Sequence, residues 1–311
     1  MENFNSKVLL FGEYGVMYGN MALVMPCDRF SGQLSFSDND RSQFARNSNE
    51  YLKKFSAFIA SHLDENFVLE VKRLEYELDR GLFFKSNIPP GYGLGSSGAL
   101  VVAIFLRYLK RAKDVKDGMK DFTWEKVQGL KGYLSKLESF FHGRSSGLDP
   151  LSIYLNTPII FKGPDEISKV NLPEEKEQGK NVVFLLNTGI TRSTSKLVNR
   201  FLDLDKDPVF KDKVRSQMVP FANDSILSFL ENDMEHFYPN LEKLSKFQYE
   251  EMDYFTPKSF RKVVKNGLDN GDYFLKICGA GGGGYMLGFT QNWSATREEL
   301  AKYKIEEIYR F

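Results

Sequence analysis

Cysteine and histidine are scarce in this sequence. Its two cysteines, Cys27 and Cys278, lie far apart in a chain of 311 residues, so a disulfide framework is not expected and a reducing compartment is indicated. The three histidines are His62, His142 and His236, and neither cysteine lies near one of them. The sequence therefore gives no support to a zinc site.

The sequence also lacks an excess of charge and a long apolar run. Its formal net charge is +1, which leaves no global field to attract nucleic acid or an acidic membrane. Residues 1–7 are polar and do not resemble a signal peptide, and no apolar segment is long enough to span a bilayer. With 42% hydrophobic residues, the chain can bury the core of one large or two ordinary domains. We therefore expect a soluble, cytoplasmic protein without a nucleic-acid or membrane partner.

Glycine, by contrast, is concentrated in a stretch that we call the first glycine loop, residues 89–98 (PPGYGLGSSG). It follows a strand-like run at 82–88 and precedes an apolar run at 99–109 that is long enough for three helical turns. The glycines permit positive φ angles and close approach to a ligand, and Ser96 and Ser97 are expected at the helix N-cap. Because a helix N-terminus attracts anions, the pattern predicts a phosphate cradle, although alone it fits a flexible turn equally well.

The remaining patterns predict alternating strands and helices. Strands are predicted at 7–12, 22–25, 30–36, 67–71, 82–88, 182–187, 274–278, 285–289 and 305–309. Helices are predicted at 50–63, 99–109, 127–141 and 294–302, mainly over 208–270, and after 194 with Leu197, Val198 and Phe201 on its apolar face. Residues 111–121 are charged and predict a solvated loop. The polar segment 163–180 contains Pro164, Pro173 and Gly179 and is the best candidate for a domain boundary.

Two carboxylates stand out, although their spacing alone assigns them no function. Glu138 lies at the edge of the apolar stripe of the helix at 127–141. A glutamate at such a position is most often an exposed helix-edge residue. Asp149 precedes Pro150, and this pair is most often a plain turn. Because proline disfavours the α-region for the residue before it, we expect Asp149 on an irregular strand entrance.

Three ordered motifs resemble the GHMP-type small-molecule kinases, the family of galactokinase, homoserine kinase, mevalonate kinase and phosphomevalonate kinase. The motifs lie at 7–19, 89–98 and 276–284 and together extend over most of the chain. The second matches the family pattern Pro-x-x-x-Gly-Leu-Gly-Ser-Ser. The third matches Cys-Gly-Ala-Gly-Gly-Gly-Gly and includes residues 279–284, the final glycine loop. Residues 7–13 and 187–194 further resemble the mevalonate kinase branch.

The resemblance implies an α/β (α+β) fold of two domains. A ribosomal S5 domain 2-like N-terminal domain would occupy residues 1–180, and a ferredoxin-like C-terminal domain would occupy residues 181–311. It also implies ATP and Mg²⁺ as cofactors, a small-molecule alcohol as substrate and, as in similar enzymes, a homodimer. The implied activity is the ATP-dependent phosphorylation of mevalonate to 5-phosphomevalonate.

The resemblance further implies roles for individual residues. Asp149 would accept the proton of the alcohol, with Lys7 stabilising the negative charge, as catalytic residues. The nucleotide-binding residues would be Pro89, Gly91, Gly93, Leu94, Gly95, Ser96, Ser97, Gly98 and Gly281. The metal ligands would be Ser97 and Glu138. The substrate-binding residues would be Glu13, Tyr14, Thr188 and Arg192.

Three positions depart from the family. Tyr14 stands where the family commonly has histidine, Gly98 where it has alanine, and Ser145 where it has proline. Because the Tyr14 position lies by the acceptor pocket in the resembling enzymes, phosphomevalonate kinase or another alcohol kinase stays an alternative.

Two hypotheses from other classes also remain. Residues 93–98 fit Gly-x-Gly-x-x-Gly of dinucleotide oxidoreductases, but the acidic candidates that should end a second strand, Asp114 and Asp117, lie in the charged segment. A non-catalytic nucleotide-binding module is the other hypothesis, and the intact set Lys7, Ser97, Glu138 and Asp149 argues against it.

Overall fold

The computed structural model describes residues 1–37, 42–62, 67–110, 124–143, 145–163 and 166–311. The chain forms two compact units, each built from separate segments. Unit 1 comprises Met1–Lys7, Pro26–Pro90 and Gly95–Thr157, and unit 2 comprises Val8–Met25, Gly91–Leu94 and Pro158–Phe311. The domain boundary expected after residue 180 stays a prediction.

Unit 1 is mainly helical. Its elements include parts of β1 (Asn3–Phe11) and β2 (Met21–Phe36), followed by α1 (Gln43–Ala60), α2 (Val71–Asp79), β3 (Leu82–Ser86), α3 (Ser96–Tyr108), α4 (Trp124–His142) and α5 (Leu148–Leu155). Helix α3 is apolar on all sides, and its residues from Gly98 to Phe105 are buried. A helix of this kind belongs in a core, and α3 packs against α4 and α5. The first glycine loop therefore leads into the central helix of unit 1.

Unit 2 holds the rest of β1 and β2, a 3-10 turn at Gly15–Tyr18, and the elements after residue 158. The strands are β4 (Ile159–Lys162), β5 (Ile167–Lys169), β6 (Val182–Asn187), β7 (Phe274–Ile277), β8 (Tyr285–Thr290) and β9 (Ile305–Arg310). The helices are α6 (Thr194–Leu204), α7 (Pro208–Lys213), α8 (Val219–Leu230), α9 (Met234–Glu251), α10 (Arg261–Asn270) and α11 (Trp293–Glu299). A π-helical segment, Val214–Met218, joins α7 to α8, and short 3-10 turns lie at Asp253–Phe255 and Lys258–Phe260.

The strands form two sheets. Strands β1 to β5 belong to the first, in which β2 pairs antiparallel with β3 inside unit 1 and with β4 inside unit 2. The second sheet, in unit 2, has the order β7-β8-β6-β9 with antiparallel pairs. Strands and helices follow one another along the chain as β6, helices, β7, β8, α11 and β9, which is the ferredoxin-like arrangement. The expected α/β class and the ferredoxin-like C-terminal half are confirmed.

Two predicted strand assignments are wrong. Residues 67–71 do not form a strand: Leu69 makes only an isolated bridge with Leu109, and α2 begins at Val71. Leu74 and Leu78 have helical spacing and are both buried on α2. Their burial favours a helix over a strand in this part of the chain. Likewise, the separate strands expected at 22–25 and 30–36 are the single strand β2, because the backbone stays extended through Pro26.

The other predicted elements are present with shifted ends. The helix expected from residue 50 begins at Gln43, after Ser42 accepts a hydrogen bond from the Ala45 N–H at 3.1 Å. Leu63, the charged segment at 111–121 with Asp114 and Asp117, and Pro164 lie outside the described residues. Across the described ranges, no helix combines the length and apolarity needed to cross a membrane.

Candidate active site

Lys7 and Asp149 form an ion pair in unit 1. The Nζ atom of Lys7 lies 2.7 Å from Oδ1 of Asp149, and the lysine side chain is buried while that of the aspartate is 40% exposed. Asp149 is the second residue of α5, so the predicted strand entrance is wrong. Pro150 occupies the first helical turn, where its missing N–H costs no helical hydrogen bond. The pair presents a partly exposed carboxylate with an ammonium group behind it.

Glu138 is buried on α4, with 4% of its surface exposed. The Ser97 hydroxyl donates to its Oε1 atom at 3.0 Å, and the Ser145 hydroxyl donates to Oε2. Burial raises the pKa of the Glu138 carboxyl to about 7, and the Asp149 charge adds to the rise. The hydrogen bonds from Ser145 and Ser97 and the Lys7 charge oppose it. The interpretation as an exposed helix-edge glutamate is therefore wrong.

The start of α3 differs from the expected serine cap. Gly95 occupies the N-cap with φ +77°, and no side chain caps the helix, so Ser96 and Ser97 both lie in the first turn. The hydroxyl of Ser97 is directed to Glu138 instead. The first N–H groups of α3 have no acceptor within the helix and favour an anion there.

Glycine at two positions lets other elements approach the start of α3. A Cβ atom on Gly95 would lie 3.1 Å from Cγ of Lys7, and a Cβ atom on Gly98 would lie 3.0 Å from the Pro150 nitrogen. Unit 1 thus gathers the predicted residues Lys7, Gly95, Ser96, Ser97, Gly98, Glu138 and Asp149, whereas Pro89 lies earlier in the first glycine loop. This cluster combines an anion-binding helix start, hard oxygen donors and a carboxylate able to accept a proton.

Glu13, in unit 2, pairs with Lys276. The Lys276 Nζ atom lies 2.5 Å from Oε1 of Glu13, and both side chains are almost wholly buried. The same ammonium donates to the Ile277 carbonyl at 2.8 Å and lies 5.5 Å from the centre of the Phe11 ring. The pair fixes the Glu13 carboxylate at the end of β1.

Tyr14 follows in a conformation that few bulky residues adopt. Its φ is 57°, in the left-handed region that is strained for an aromatic residue. The ring stacks on Phe201 with centroids 4.3 Å apart, and the hydroxyl donates to the Ala280 carbonyl at 2.8 Å. Burial raises the pKa of the phenol, Arg192 lowers it and Glu13 raises it, so at neutral pH Tyr14 is a protonated hydrogen-bond donor.

The other predicted unit 2 residues surround the final glycine loop. The Thr188 hydroxyl donates to the Gly284 carbonyl at 2.7 Å, and Nη1 of Arg192 donates to the Thr194 hydroxyl at 2.7 Å. A Cβ atom on Gly93 would lie 3.0 Å from Nη2 of Arg192. Gly91, buried Leu94 and buried Gly281 also belong to unit 2.

The sequence interpretation missed two contributors. Lys276 lies inside the third motif, and a lysine within the otherwise apolar run at 274–278 was the signal that a buried partner exists. Ser145 was noted only as a departure from the family, yet its hydroxyl donates to Glu138, and the Gly147 N–H donates to it at 2.9 Å.

This chain is similar to known proteins in sequence and in fold. Residues 51–156 match the GHMP kinases N terminal domain. Mevalonate kinase of Thermococcus sibiricus is 28% identical over 308 residues, covering 90% of this chain and 86% of that protein. The L. major mevalonate kinase structure with R-mevalonate has a TM-score of 0.65 and 17% identity, covering 99% of this chain and 94% of that one. Phosphomevalonate kinase of Streptococcus pneumoniae, with phosphomevalonate and AMPPNP, has a TM-score of 0.63 and 16% identity, covering 99% of both chains.

Proposed function

We propose that the chain is an ATP-dependent kinase of the GHMP type, whose N-terminal domain residues 51–156 match, and that it transfers the γ-phosphoryl group of ATP to the hydroxyl of mevalonate. The product would be 5-phosphomevalonate, an intermediate of isoprenoid biosynthesis. The observation that carries the chemistry is the Lys7–Asp149 pair beside the start of α3. The similarity to mevalonate kinases over 90% of the chain supports the choice of acceptor.

Asp149 accepts the proton of the acceptor hydroxyl in this proposal. Its carboxylate is partly exposed, as a group that must meet a substrate has to be, and its position on α5 is fixed by helix packing against α3. Lys7 offsets the negative charge that develops on the attacking oxygen. Phosphoryl transfer asks a protein mainly for such positioning and charge neutralisation.

Ser97 and Glu138 would hold a magnesium ion. A serine hydroxyl and a carboxylate are the hard oxygen donors that Mg²⁺ accepts beside phosphate oxygens, and a buried carboxylate with a raised pKa gains from a nearby cation. When bound, the ion neutralises charge on the phosphates. The Ser145 hydroxyl orients the Glu138 carboxylate from the other side.

The remaining residues would bind the two substrates. The first glycine loop, from Pro89 to Gly98, would hold the nucleotide phosphates, with Ser96 beside them and Gly281 of the final glycine loop nearby. Glu13, Tyr14 and Thr188 would line the acceptor side. The Arg192 guanidinium would bind an anion, either the acceptor carboxylate or the transferred phosphate. Its forked N–H donors suit both of these anions. The homodimer and the cytoplasmic location stay predictions.

A parallel assay of ADP release tests this function. Mevalonate, phosphomevalonate, homoserine and galactose are each offered with ATP and Mg²⁺. Of these four acceptors, we expect only mevalonate to give a turnover above that of the Asp149→Asn variant, which serves as the control. Faster turnover with phosphomevalonate would identify that acceptor instead, and this outcome matters because Tyr14 replaces the usual histidine. ATP binding without turnover of any acceptor would favour the binding-module hypothesis.

A further inference from the structure

Two consecutive residues tie the turn after β1 to the segment around the final glycine loop. Glu13 holds Lys276, which lies just before this loop, at 2.5 Å, and Tyr14 donates to the carbonyl of Ala280, within it, at 2.8 Å. All four residues belong to unit 2. The turn that would contact the acceptor is thus bound to two residues that flank the segment 277–279.

The final glycine loop in turn packs against residues 91–94 of the first glycine loop, also in unit 2. A Cβ atom on Gly284 would lie 2.6 Å from Cα of Tyr92, and one on Gly93 would lie 3.1 Å from the Cys278 carbonyl oxygen. The rings of Tyr92 and Tyr285 meet edge to face at 5.2 Å. These approaches are so close that a displacement of one loop must displace the other.

Tyr14 is the most constrained part of this connection. Its backbone is held at φ 57°, and among the described residues the other non-glycine residues with positive φ are asparagines, which tolerate that region. Strain of this kind persists only where the surroundings enforce it, and it concentrates at functional sites. Here Phe201 and Phe255 pack on the ring, which aims the hydroxyl at Ala280.

We propose that Tyr14 is a positioning residue that couples acceptor binding to nucleotide binding through the final glycine loop. The inference rests on the proposed function for the identity of the acceptor. An acceptor that contacts the turn at Glu13 and Tyr14 orders that turn, and the Tyr14–Ala280 hydrogen bond passes the order to the loop that packs on residues 91–94. Mevalonate therefore tightens nucleotide binding, and by thermodynamic linkage the nucleotide tightens mevalonate binding equally.

Tyr14→Phe tests the inference, because it keeps the stacked ring and removes the hydroxyl. Tyr238→Phe is the matched control: it also loses a phenol hydrogen bond in unit 2, to Asn181 at 3.2 Å, and neither Tyr238 nor Asn181 belongs to either loop. Calorimetric titration with a non-hydrolysable ATP analogue and Mg²⁺, with and without saturating mevalonate, gives the coupling factor. Thermal unfolding of each variant separates this effect from a loss of stability.

We expect mevalonate to tighten analogue binding to the wild type by about fivefold or more, within the usual range of coupling. In Tyr14→Phe the factor should fall below about twofold, and the analogue alone should bind about three to tenfold more weakly, as for the loss of one hydrogen bond. Tyr238→Phe should match the wild type in both measurements.

Three results would overturn the inference: a wild type that binds mevalonate without coupling, an undiminished factor in Tyr14→Phe, or a Tyr14→Phe protein that loses only stability. If the wild type does not bind mevalonate at all, the proposed acceptor is wrong and the analogue titration decides alone. Weaker analogue binding to Tyr14→Phe than to Tyr238→Phe then supports the positioning role, and equal binding overturns it.

Discussion

Glycine has different structural roles in the two glycine loops. In the first glycine loop, a Cβ atom at Gly95 or Gly98 would meet the Lys7 side chain or the backbone of Asp149 and Pro150. In the final glycine loop, a Cβ atom at Gly281 would lie 2.7 Å from the Phe255 carbonyl oxygen. Glycine in the first loop makes room for groups that would carry out chemistry, whereas in the final loop it lets backbone segments pack. Substitutions near the first should therefore change turnover most, and those in the final loop should change stability most.

The largest effect is expected from Asp149→Asn, which removes the proposed proton acceptor beside the first glycine loop. Turnover should fall by about 10² to 10⁴-fold, the usual contribution of a general base. Binding of an ATP analogue should stay close to that of the wild type, whereas the midpoint of thermal unfolding should fall because the buried Lys7 ammonium loses its carboxylate partner. Near-normal turnover by the folded variant would mean that another group accepts the proton.

Glu138→Gln should raise the Mg²⁺ concentration that gives half-maximal turnover. We expect a rise of roughly 10 to 100-fold, at least as large as that for losing a residue that orients a metal ligand. Stability should hold, because a neutral amide replaces a buried carboxyl whose pKa is already raised to about 7. An unchanged Mg²⁺ titration would assign Glu138 a structural role only.

Gly281→Ala tests the packing role of the final glycine loop. Its φ is +70°, and the added methyl group would meet the Phe255 carbonyl, so we expect a loss of about 2–3 kcal/mol in the free energy of unfolding. Gly271→Ala is the control, since Gly271 has φ +73° but nothing within 4 Å of its Cβ position. Denaturant titration should show a smaller loss for this control, and equal losses would remove the packing argument.

Gly98→Ala should have the smallest effect and falls on a position where the family commonly has alanine. The methyl group would lie 3.0 Å from the Pro150 nitrogen and 3.1 Å from the Asp149 carbonyl carbon, so the start of α5 must shift by a few tenths of an ångström. We expect kcat to fall up to about tenfold, because small displacements of a reacting group are costly. Gly132→Ala on α4, with open space around it, should leave kcat unchanged. A neutral Gly98→Ala would show that α5 moves without consequence.

Local patterns predicted the helices and strands better than they predicted the site. The helix with Leu197 and Phe201 on its apolar face, α6, and the strands β7 and β8 are as expected, because both kinds of pattern depend on neighbours in sequence. The strand prediction for residues 67–71 is wrong because the β-prone residues there precede a helix, and the buried face of that helix lies further along the chain.

The site depends on partners that are distant in sequence. Ser97 and Glu138 are separated by 41 residues, and Glu13 and Lys276 by 263, so no periodicity could pair them. Spacing could not distinguish a buried Glu138 from an exposed one. The resemblance to a family supplied these roles, and the proximity of Lys7 to Asp149 and of Ser97 to Glu138 is what the structure adds.

The interleaving of the two units constrains how the chain can fold during synthesis. The first residues of β1 belong to unit 1 and the next to unit 2, so a nascent chain cannot complete either unit early. Unit 1 has all its segments only after residue 157 has left the ribosome, and unit 2 only near the C-terminus. No single truncation of this sequence releases either unit intact, so both units have to be studied in one continuous chain.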